Sequence, residues 1–138
     1  MDYQKILLAY SDPKKDVKLL EAALDIAHRY GAPLTLIHLN VQTGAHIAHG
    51  YVGFQHMYNE QEIEEQLKNL NKQDVKTEIK IVKARSIDVV ETIVRESKPY
   101  DLLITGHNHM NFLEAHITHS TDEKVINQIN THTLVIPV

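Results

Sequence analysis

Residues 101–106 read Asp-Leu-Leu-Ile-Thr-Gly. Three aliphatic side chains in direct succession leave no strand face for water, so Leu102-Leu103-Ile104 predicts a strand buried on both sides. Asp101 before it and Gly106 after it are the punctuation that bounds such a run. Ile6-Leu7-Leu8-Ala9 near the start reads the same way, Leu34 to Leu39 predicts a further strand, and Leu134-Val135-Ile136 near the end predicts the final one. Strands covered on both faces need helices to cover them, and the intervening segments supply the helical patterns.

After the first run, Asp12-Pro13 has the form of a helix start, Asp as N-cap and Pro in the first turn. Val17, Leu20, Leu24 and Ala27 then recur at helical spacing, and Gly31 and Pro33 end the pattern. Ile63, Leu67 and Leu70 predict a short amphipathic helix. Val75 to Val82 alternates apolar with charged residues, as expected of a half-exposed edge strand. Ser86 is placed to cap a third helix whose inner side is Ile87, Val90, Ile93 and Val94, with Pro99 just past its end. Ser120 and Glu123 have capping-box spacing before a last helix faced by Val125, Ile126 and Ile129. The order β-α-β-α-β-α-β-α-β in 138 residues predicts a single α/β domain over 1–138, its sheet mostly parallel with helices on both faces.

Composition narrows the function. Hydrophobic residues are 43% and charged residues 23% of the chain, the ordinary balance of a water-soluble domain. No run approaches the ~18 apolar residues of a membrane span. Met1 to Lys5 is polar and lacks the form of a signal peptide, which sets the expectation of a cytoplasmic protein with no membrane partner. Cysteine is absent, which removes thiol catalysis and thiolate metal sites. The net charge of −4, without a Lys/Arg cluster, argues against nucleic acid as a partner.

Ligands of parallel sheets sit beyond the carboxyl ends of the strands. That places the candidates at Tyr10-Ser11-Asp12, Asn40-Val41, Ala84-Arg85 and Gly106 onward. Two long stretches without clear period, 42–58 and 107–119, begin at those ends. Ser120-Thr121 opens a helix, where free N–H groups favour an anion, though Ser120 serves equally as a plain cap. No nucleophile elbow, Walker loop or G-x-G-x-x-G is found, so no catalytic set is assigned. Asp101 stands at the amino end of its strand, away from the cleft, and is read as structural. Ten histidines are many for this length. His46 and His49, His107 and His109, and His116 and His119 form close pairs able to ligate zinc, nickel or copper if they converge. Most such pairs on irregular segments are solvated bystanders, and no metal is assigned.

These segments together resemble the universal stress protein family along nearly the whole chain. Lys5-Ile6-Leu7-Leu8-Ala9 is similar to its first strand, Leu34-Thr35-Leu36-Ile37-His38-Leu39 to its second, Asp101 to Gly106 to its Asp-Leu-Ile-Val-Met-Gly segment, and Thr133 to Pro137 to its last strand. The resemblance implies a Rossmann-like, adenine nucleotide alpha hydrolase-like sheet of five strands in the order 3-2-1-4-5. Family members that bind ATP carry Gly, two residues, Gly, nine residues, then Gly with Ser or Thr. Gly106 and Ser120 hold the first and last places, but His109 and His119 stand in for the second and third glycines. Ser11, Asp12 and Pro13 stand where the family has Asp-Gly-Ser, and Ala84 where it has glycine. The residues that the resemblance assigns to a nucleotide are Ser11, Asp12, Val41, Gly106, His107, His109, His119, Ser120 and Thr121.

Glycine permits close backbone approach to phosphate and positive φ, and histidine restricts both. The expectation is therefore a regulatory, binding stress-response protein with weak or lost ATP binding, not an enzyme. Two alternatives stand beside it: an ATP-binding member with slow hydrolysis, and a histidine-rich metal or pH sensor on the same fold. The family's habit of pairing last strands, together with an apolar Leu134-Val138 edge, implies a homodimer.

Overall fold

The computed structural model describes residues 2–10, 16–42, 59–85, 88–106 and 131–137. Five strands form one sheet: β1 (Ile6–Tyr10), β2 (Leu34–Gln42), β3 (Thr77–Arg85), β4 (Leu102–Gly106) and β5 (His132–Ile136). Their spatial order is β3-β2-β1-β4-β5, and all four neighbouring pairs are parallel. The expected order 3-2-1-4-5 is the observed one, and the sheet is parallel throughout.

Burial follows position in the sheet. β1 and β4 are buried at every residue, because each has a strand on either side and cover above and below. Unbroken aliphatic runs are the sequence signature of that environment. β3 at one edge is mostly half-buried, which is why its sequence alternates. β5 at the other edge is largely exposed.

Three described helices connect these strands. Helix α1 (Val17–Tyr30) and helix α2 (Glu60–Leu70) cover one face, packing with Ile6, Leu8, Leu34, Leu36 and Ile104 in the larger core. Helix α3 (Val89–Ser97) covers the other face, where Val89 and Ile93 pack with Leu7, Ala9, Ile37 and Leu103. Helices on both faces were expected, and this is what the structure shows. The last helix expected from Ser120 onward lies outside the described residues.

Local chemistry explains the boundaries. Gly31 ends α1 in the left-handed conformation, φ 62°, its N–H directed to Ala27 and His28 carbonyls. Asn59 caps α2 by accepting from the Glu62 N–H at 2.9 Å. Asn71 then closes the path to β3: its amide N–H donates to the Val75 carbonyl at 2.8 Å and its carbonyl accepts from the Val75 N–H at 2.9 Å. Asp74, inside that turn, has φ 52°, a conformation that Asp tolerates better than most residues.

Several boundaries differ from the sequence reading. The described α1 begins at Val17 behind Asp16, later than Asp12-Pro13 suggests, and those two residues lie outside the described set. β3 runs from Thr77 to Arg85 rather than from Val75 to Val82. Asn71 holds Val75 in the turn, and the β2 ladder carries the strand on to Arg85. β2 likewise extends past Leu39 to Gln42. Helix α3 begins after Asp88, and Ser86 lies outside the described residues.

Candidate functional site

The strand order reverses at β1. β1 meets β2 on one side and β4 on the other, and both neighbours' carboxyl ends point the same way. A ligand of such a sheet is held beyond the carboxyl ends at this point. The ladders differ there. β1 pairs with β2 through Tyr10 and His38. Its ladder with β4 stops at Leu8 and Ile104, although β1 continues to Tyr10 and β4 to Gly106. The two central strands thus end side by side without a continuing ladder.

The structure brings Tyr10, Asn40 and Gly106 to this edge. His38 is 3% exposed, on the sheet face that carries Tyr10. Its Nδ1 lies 3.1 Å from the Tyr10 carbonyl and its Nε2 2.9 Å from Asn40 Oδ1. A carbonyl only accepts, so Nδ1 carries a proton and donates to Tyr10. With a neutral ring, Nε2 accepts from the Asn40 amide N–H, the side-chain amide being turned over. With an imidazolium, Nε2 donates to Oδ1 as placed. In either case His38 ties the end of β2 to the end of β1.

On the opposite face, Thr105 is 2% exposed and its hydroxyl has no hydrogen-bond partner among the described residues. Gly106, the next residue, ends β4 opposite Ile136 of β5. Val41 is described by its backbone, paired with Ala84. Ala84 lies inside β3 and is buried, and Arg85 ends that strand with its Nε 2.7 Å from an Asp88 carboxylate oxygen. Ser11, Asp12, His107, His109, His119, Ser120 and Thr121 lie outside the described residues, as do the metal candidates His46, His49 and His116. Among the described residues no group of three or more His, Asp or Glu is placed to hold a metal.

Sequence reasoning placed Asn40 and Gly106 at this edge, but it missed the link through His38 and the buried Thr105 hydroxyl. The His38 link needs β1 and β2 in register, which spacing alone does not supply. Asp101 was read as structural. Its carboxylate accepts from the Gln4 N–H at 2.9 Å and the Lys5 N–H at 3.0 Å, joining the amino ends of β4 and β1, at the far end of the strands from Tyr10 and Gly106.

Comparisons with known proteins agree with this architecture. A protein of the universal stress protein family from Burkholderia pseudomallei superposes with a TM-score of 0.64 at 19% identity, covering 99% of this chain and 97% of that one. A universal stress protein in complex with cAMP gives 0.58 at 17% identity, with 99% and 98% covered. One from Archaeoglobus fulgidus in complex with dAMP gives 0.53 at 16% identity, with 99% of each chain covered. At these identities the likeness is one of fold. A search of curated protein sequences finds no match. No described helix is long and apolar enough to cross a membrane. The sequence model of the universal stress protein family matches residues 2–137, and the chain belongs to that family.

Proposed function

We propose that this chain is a regulatory, binding member of its family, a homodimer in the cytoplasm, with nucleotide affinity weak or lost. The observation that carries the reading is the pair of histidines, His109 and His119, in the register of glycines that elsewhere approach a nucleotide's phosphates. Glycine tolerates positive φ and close backbone approach to a phosphate, and histidine restricts both. Calorimetric titration with Mg-ATP, on protein shown free of co-purified nucleotide, tests it. The expected result is no saturable binding below about 1 mM, a binding free energy weaker than roughly −4 kcal/mol. Micromolar binding with one site per chain would overturn it.

The second reading is a nucleotide-binding member with slow ATP hydrolysis. The retained Gly106, the strand reversal at β1 and the cAMP and dAMP named for two structural neighbours favour it. On that reading imidazolium groups take over from backbone amides, binding strengthens as pH falls through the histidine range, and His109→Ala with His119→Ala weakens it. The metal-sensor reading rests on the histidine pairs alone and predicts a raised melting temperature with zinc or nickel.

A further inference from the structure

The sheet face that carries α3 also has a recess at the opposite, amino end, beside the first residues of β2 and β3. A groove of about 400 Å³ lies there, with Lys5, Thr35, Lys76, Glu78, Lys80 and Tyr100 among its lining residues. That volume is in the range of small-molecule sites. The register explains how these residues meet. Thr35 pairs with Glu78 and Ile37 with Lys80, so alternation points Thr35, Glu78 and Lys80 to the same face. Lys5 stands just before β1 and Tyr100 just before β4.

The groove's charge is unbalanced. Three ammonium groups face one carboxylate in a chain whose formal net charge is −4. Among the described residues Lys5, Lys76, Lys80 and Glu78 form no ion pair, whereas Arg29, Arg85 and Arg95 do. Lys80 is half-buried, and its Nζ stands 5.8 Å from the centre of the Tyr100 ring. That contact holds the ammonium over the groove without neutralising it. Thr35 is 6% exposed and supplies the floor with a hydroxyl.

We propose that this groove binds a compact phosphate-bearing anion, independently of any ligand at the carboxyl end. Lysine ammoniums act as point charges suited to a many-oxygen anion, and no arginine fork lines the groove to favour a planar carboxylate. The site does not depend on the altered glycine register, because it shares no residue with it.

The test uses the full chain labelled with ¹⁵N, titrated with inorganic pyrophosphate at low ionic strength, where screening is least. The expected result is saturable amide shifts at Thr35, Lys80 and Tyr100, with half-saturation near ~1 mM. Lys76→Gln combined with Lys80→Gln weakens binding at least about tenfold. Glu78→Gln removes an exposed carboxylate and tightens it several-fold. No shifts at these residues up to about 10 mM, or shifts confined to the carboxyl ends of the strands, would overturn the proposal, as would equal binding by the double variant. If that variant does not fold, Glu78→Gln decides alone, and unchanged affinity rejects the site.

Discussion

At Gly31 the backbone is left-handed, and a Cβ built there meets nothing within 4 Å. The cost of Gly31→Ala is therefore conformational and not steric, about 1 kcal/mol. It is expected as a lower urea midpoint with an unchanged slope. Thr105 makes the opposite case. Its buried hydroxyl has no partner among the described residues, and Thr105→Val replaces it with a methyl group of like shape. The variant is expected to be more stable by about 1 kcal/mol. Loss of stability would show that the hydroxyl is satisfied in solution. These two residues mark what was legible. Gly31 announced its role, because glycine before proline after a helical pattern has few other uses. Thr105 announced nothing, because a threonine in a strand is ordinary until its surroundings are known.

The elements were legible wherever their burial was uniform. Leu102-Leu103-Ile104 and Ile6 to Ala9 are wholly apolar because both strands are central, and no tertiary detail was needed to read them. The ends of β2 and β3 were not legible. Lys83 and Arg85 interrupt the apolar pattern, and nine ladder pairs between the two strands carry them on regardless. Asp16 at the start of α1 is 4% exposed, while Asp12-Pro13 looked the stronger start by local chemistry alone. Asp101 shows how an element is fastened. Its two hydrogen bonds to Gln4 and Lys5 are exposed, so Asp101→Ala is expected to cost only about 1 kcal/mol. Hydrogen exchange at those two amides should quicken more than exchange elsewhere in β1. Uniform quickening through the sheet would mean that the carboxylate supports the whole fold and not just this joint.

For the whole molecule, β5 is the edge that the homodimer reading depends on. Leu134 is 40% exposed and Val135 36%, in a strand paired only with β4 among the described residues. Val135→Lys places a charge on that edge and is expected to convert a sedimenting dimer to monomer at tens of micromolar without lowering the melting temperature of the monomer. A wild-type monomer at that concentration would reject the dimer outright. The family and strand order were legible from four short segments in sequence. The site was legible only as a register, because what a histidine does in place of a glycine depends on the backbone around it. The central position of β1 also bears on the chain's synthesis. Its partner β4 follows about 90 residues later, roughly 5–20 seconds of translation. Through that interval the growing chain can complete β1, β2 and β3, yet β1 keeps one apolar border open. Ribosome-bound chains stopped before Asp101 are expected to be cut within 6–10 by protease far faster than the released full-length chain, and equal rates would show that β1 is sheltered before β4 arrives.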